Sequence, residues 1–92
     1  MTTTMTGGTA IVESVLAHGV DTIFGLPGGQ LYDLYNAYFE AQDRLTVLSS
    51  RHEQGAAYMA FGYASATGKV GVFSVVPGPG LLNSSAALLT AF

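Results

Sequence analysis

Along this chain, short runs of β-branched and aromatic residues alternate with segments of helical period. VDTIFG (20–25), LTVLSS (45–50) and VGVFSVV (70–76) are the strand-like runs. Ahead of them, Val12, Val15 and Leu16 share one helical face, with Thr6 or Thr9 near the start and Gly19 as the stop. Leu31, Leu34, Tyr35 and Tyr38 follow at i, i+3, i+4 and i+7. A third helix is predicted from about 53 to 67, with Ala56, Met59, Ala60 and Tyr63 as one stripe and Ala57, Phe61 and Ala64 widening it. A helix apolar on most faces is expected to be buried. PGPG (77–80) then turns the chain into a fourth helix, LLNSSAALLTAF. The order αβαβαβα predicts an α/β fold, a parallel sheet with flanking helices and right-handed crossovers. The third run is continuously apolar, as strands buried on both faces tend to be.

Composition narrows the function classes. The chain is 49% hydrophobic and only 10% charged, where roughly 25% charged is usual. Three strands make a partial sheet, and the fourth helix runs to Phe92 without a stop signal. These features predict a flexible 1–8 segment followed by an incomplete domain over 9–92. Three basic and six acidic residues leave a net charge of −3, with no basic stripe for nucleic acid. Cysteine is absent, which removes disulfides and thiolate chemistry. MTTTMTGG has neither the positive nor the apolar region of a signal peptide. No apolar run reaches the roughly 18 residues of a membrane span. The expected location is therefore cytoplasmic, with no membrane partner.

In doubly wound sheets, ligands bind beyond the carboxyl ends of the strands. GLPGG (25–29), SRHE (50–53) and PGPGLLN (77–83) each lie there. Gly78, Gly80 and Asn83 have the spacing G-x-G-x-x-N, one residue from a dinucleotide fingerprint, but no Walker lysine follows GLPGG. The same glycines serve a tight strand-to-helix turn, or leave clearance for a flat ring. Glu53 in a first helical turn suits the helix dipole, and with Ser49 or Ser50 as N-cap it fits a capping box. His52, His18 and Arg51 read as structural or solvated groups, and the tyrosines as core or interface aromatics. No Asp/Glu/His cluster has metal-ligand spacing, and no serine stands in a nucleophile elbow.

Taken together, FGLPGG (24–29), RHEQGAAYMAFGYA (51–64), TGKVGV (67–72) and GPGLLN (78–83) occur in an order that resembles the N-terminal pyrimidine-binding domain of thiamine diphosphate-dependent enzymes. The likeness runs from about residue 8 to the end and is strongest to the acetolactate synthase branch, although Pro77 and Leu81 depart from its usual residues. It implies a partial thiamine diphosphate-binding fold. It also assigns Glu53 as the catalytic glutamate that hydrogen-bonds N1′ of the cofactor's aminopyrimidine and promotes its imino tautomer. Burial would lift the pKa of such a carboxyl, while the helix dipole pulls the other way.

By the same resemblance, Leu26, Pro27, Gly28 and Gly29 approach the pyrimidine ring from one side, and Pro79 and Asn83 from the other. The diphosphate and its Mg²⁺ would be held by a separate C-terminal domain, which, like the family's central domain, is absent from this sequence. FAD is left open. The implied activity is decarboxylation or carboligation of a small 2-keto acid. The implied assembly is a homo-oligomer whose active sites form between subunits, so the segment alone is expected to be inactive. Two other readings stand beside this one: a nucleotide-binding module using the glycine turns for phosphate, and a non-catalytic interaction domain of the same fold.

Overall fold

The computed structural model describes residues 4–92. The first helix, α1 (Gly7–Ala17), starts where Thr6 accepts a hydrogen bond from the Thr9 N–H at 3.1 Å, satisfying one of the helix's orphan donors. Of the 1–8 segment expected to be flexible, residues 1–3 lie outside the described part, and Gly7 and Gly8 belong to α1. Gly19, at a φ of 80°, releases the chain from α1 into the first strand.

That strand, β1 (Thr22–Gly25), is central in a three-stranded parallel sheet. On one side it pairs with β2 (Thr46–Ser49), and on the other with β3 (Val72–Ser74). The register sets Gly25 between Ser49 and Ser74. Side chains alternate across a strand, so Ile23 and Phe24 enter different clusters. Ile23, 1% exposed, packs with Val12 of α1 and with Ala37 and Tyr38 of α2 (Tyr32–Glu40). Phe24 packs on Ala56 and Ala60 of α3 (Glu53–Thr67). Tyr63 of that helix meets the Phe24 ring edge-on at 5.7 Å. The last helix, α4 (Pro79–Ala91), lies along α3 through Gly80, Ser84 and Ala87, all buried.

Two expectations need correction. β3 is only three residues long and half-buried, not buried on both faces. It lies at a sheet edge, whereas β1, the middle strand, is the one covered from both sides. The third helix does run from 53 to 67, but only Ala56, Ala57 and Ala60 are buried, and Tyr58 and Met59 face outward. Small residues mark where α3 is approached, not how much of it is covered. Gly71 shows how close that approach is: a Cβ there would run into the Ala60 carbonyl oxygen. The second helix enters through one 3₁₀ turn, Gly29–Leu31, which the glycine-rich loop makes possible. Among the described residues no helix is long and apolar enough to cross a membrane.

Candidate active site

Backbone bonds tie the first of the three loops predicted at the carboxyl edge of the sheet to the second and to the end of β3. The Ser50 N–H donates to the Gly25 carbonyl at 3.0 Å, and the Leu26 N–H to the Ser74 carbonyl at 3.3 Å. Beyond Leu26 the loop closes against the end of β3, where Gly28 touches the Val76 side chain so tightly that no Cβ would fit. Pro27 and Gly29 are exposed, and Leu26 and Gly28 half-buried. The Leu31 N–H then donates to the Gly28 carbonyl at 2.9 Å, starting the 3₁₀ turn.

Glu53 is the first residue of α3, and its cap differs from the expected one. His52 is the N-cap, its Nδ1 accepting from the Gln54 N–H at 3.1 Å. Ser50 instead donates its hydroxyl to the His52 carbonyl at 2.7 Å. With neither Ser49 nor Ser50 as the cap, Glu53 cannot be the third-position partner of a capping box. Its side chain reaches across to α4, where Asn83 Nδ2 donates to Glu53 Oε1 at 3.1 Å.

The carboxyl is held below the usual carboxylate range, first by its own backbone N–H and then by Asn83, with slight burial opposing and His52 adding a small downward pull. Burial therefore does not lift it: in this chain the group is only half-buried, and the hydrogen bonds decide the direction.

Asn83 stands one turn into α4, whose N-cap, Gly78, has a φ of 75°. Pro79 occupies the first helical position. That placement suits helix initiation, but it removes one of the N–H donors that a phosphate-cradling loop uses. The structure thus joins Glu53 directly to Asn83 and fastens Leu26 and Gly28 to the end of β3. Among the described residues no hydrogen bond links the Leu26–Gly29 loop to Glu53 or Asn83. Nor do the described residues include a group of three or more His, Cys, Asp or Glu placed to hold a metal ion.

Sequence reasoning missed three neighbours of this edge. Val76 was read only as part of a strand, yet it is the wall of the first loop. Tyr35 and Ser74 place buried hydroxyls beside Gly25. The period-2 register of β1 and β3 would have put Gly25 and Ser74 side by side, but only with the strand pairing in hand.

A parallel α/β domain whose helix-head carboxylate and two glycine turns gather at one sheet edge belongs to the open-sheet class that binds ligands at that edge. Residues 5–92 match the family described as thiamine pyrophosphate enzyme, N-terminal TPP binding domain, and the chain belongs to that family. It is 43% identical over 90 residues to an acetolactate synthase of Arthrospira platensis, covering 96% of this chain and 16% of that protein. An acetolactate synthase of Mycobacterium avium is 45% identical over 87 residues, covering 95% and 14%. A probable 2-ketoarginine decarboxylase of Pseudomonas aeruginosa is 43% identical over 89 residues, covering 97% and 16%. The chain spans about one-sixth of the length of these relatives.

Proposed function

We propose that this domain supplies the pyrimidine end of a thiamine diphosphate site in an enzyme acting on a small 2-keto acid. The observation that carries this reading is the Glu53 carboxylate at the head of α3, held at the carboxyl edge of the parallel sheet by Asn83 of α4. Family membership supports it, as do relatives named as acetolactate synthases and a 2-ketoarginine decarboxylase.

The residues present fit a flat, polar-edged ring. Gly28 and Gly80 stand where a Cβ would strike Val76, so both turns pack tighter than a side chain allows. Pro27, Gly29 and Pro79 are exposed and offer apolar surface without bulk. Leu26, Pro27, Gly28 and Gly29 would line one side of the ring, and Pro79 and Asn83 the other. Glu53 would hold one proton between its carboxyl and the ring's N1′. The cofactor, when bound, supplies a thiazolium carbon able to stabilise the acyl carbanion left by decarboxylation.

For Glu53 to keep a proton near neutral pH its pKa must rise, because hydrogen bonds now hold it down. Desolvation of the exposed edge by the ring and by a second protein surface would raise it. The reading therefore includes a homo-oligomer with the site completed by another subunit. Mg²⁺ and the diphosphate would be bound by a domain outside this segment, which alone would be inactive.

The test substitutes Glu53→Gln in the full-length protein and follows thiamine-dependent decarboxylation of pyruvate alongside cofactor binding. Activity should fall by about a hundredfold or more, the usual weight of a positioned acid–base group, with binding changed less. Turnover at the wild-type rate would refute the proton-holding role.

A further inference from the structure

The head of α3 is closed by a group that can lose its ability to close it. The first N–H groups of a helix have no partner within it, and here the Gln54 N–H donates to His52 Nδ1 at 3.1 Å. Gln54 is exposed, so this bond, and not burial, shields its amide. Serine, threonine and asparagine accept such a bond without titrating. An imidazole nitrogen accepts one only while it carries no proton, so the bond requires the neutral ring with its hydrogen on Nε2.

The cap is braced from its other side. The Ser50 hydroxyl donates to the His52 carbonyl at 2.7 Å. The same carbonyl takes the first bond of the helix, from the Ala56 N–H at 3.2 Å. The peptide held between these contacts joins His52 to Glu53, and its N–H bonds the Glu53 carboxylate. That carboxylate also accepts from Asn83 Nδ2 at 3.1 Å. The turn that His52 closes is therefore the turn that aims Glu53.

We propose that His52 is a positioning residue for Glu53: its neutral imidazole holds the first turn of α3 closed, and a second proton on the ring opens that turn. With that proton, Nδ1 becomes a donor facing the Gln54 N–H, and the ring's positive charge lies at the positive end of the helix dipole. No other element answers that charge. β1, β3 and α4, which pack against α3, carry no charged or titratable side chain. Arg51 and Glu53, the neighbours in sequence, act on it in opposite senses. That the aimed carboxylate serves a cofactor rests on the function proposed above; that His52 aims it does not.

The test follows exchange of the Gln54 amide in the cofactor-free, full-length protein, corrected for the intrinsic exchange rate at each pH. His52→Ala and His52→Asn are compared with the unsubstituted chain. From about pH 8 to about pH 5, where histidine side chains titrate, protection in the unsubstituted protein should fall about fivefold, the weight of one N-cap. His52→Ala should lack that protection throughout, and His52→Asn should keep it at both ends of the range. The two variants also isolate the effect on Glu53, because neither carries the imidazole charge. The Glu53 carboxyl, followed by NMR, should titrate at a higher pH in His52→Ala than in His52→Asn.

Gln54 protection that ignores pH in the unsubstituted protein, or that survives in His52→Ala, would overturn the cap. Superimposable Glu53 titrations in the two variants would overturn the positioning. Should His52→Ala not fold, loss of the pH dependence in His52→Asn decides in its place. Wild-type turnover by Glu53→Gln would instead refute the function proposed above, and the exchange and titration readings would still decide this inference.

Discussion

At the scale of single residues, the Glu53–Asn83 bond joins side chains thirty positions apart, and its effect has a definite sign. The folded-state pKa of Glu53 lies below its unfolded value, so the ionised form is the one the fold stabilises. That contribution is complete above the unfolded carboxylate pKa and is lost as pH falls through the lower, folded one. Asn83→Ala removes the second of three downward causes and leaves the first, the backbone N–H of Glu53 itself, and the smaller pull of His52. The carboxyl should then titrate at a higher pH than in the unsubstituted protein while remaining below the ordinary range. A carbon-detected NMR titration of the Glu53 side chain reads this directly, and superimposable curves would mean that the bond does not form in solution. The same variant separates two roles for Asn83, because a residue that only contacts the ring would leave the titration of the cofactor-free protein unmoved.

At the scale of elements, one glycine within α3 and one packed against it have opposite consequences. Gly62 is exposed in mid-helix with nothing within 4 Å of its would-be Cβ, so Gly62→Ala should stabilise by about 0.5–1 kcal/mol through helix propensity. Gly71, at the entry to β3, faces the Ala60 carbonyl. Gly71→Ala must push helix from sheet and should cost about 1–3 kcal/mol. Thermal melts of the two variants should shift in opposite directions, and a shared direction would contradict the packing described. The bounds of α3 were legible because Gly68 ends the helix in a left-handed conformation that favours glycine. Its cap was not, since serine is the commoner capping residue and nothing local shows that Ser50 is turned toward the His52 carbonyl. The site was legible as three loops at one sheet edge, a consequence of chain order alone. The pairing of Glu53 with Asn83 was not, because it depends on how α4 lies along α3. The overestimate of β3 has a related cause: an apolar run records what a strand can bury, whereas its place at the sheet edge decides what it does bury.

At the scale of the whole molecule, charge and apolar surface are segregated. Residues 70–92 carry no charged side chain, and much of their apolar surface is open. Leu82 is 72% exposed, Leu89 78% and Val70 69%. Leu82 and Leu89 are seven residues apart and so share a helix face. Nearby, α3, α4 and β3 enclose an apolar groove of about 350 Å³ lined by Ala57, Phe61, Ala64, Phe73 and Leu88. Contiguous apolar surface of this kind drives association in water, and a net charge of −3 carried elsewhere on the chain opposes it only weakly. Residues 1–92 prepared alone should therefore have a mass by light scattering above the 9.5 kDa of one chain at micromolar concentration. Leu82→Lys combined with Leu89→Lys should return the mass towards that of a single chain. Phe39→Lys should not, although Phe39 is 67% exposed, because it lies on α2, which packs with α1 and not with the α3–α4 pair. If Phe39→Lys disperses the chain as well as the double leucine variant does, association is driven by total hydrophobicity and not by the uncharged α4 face.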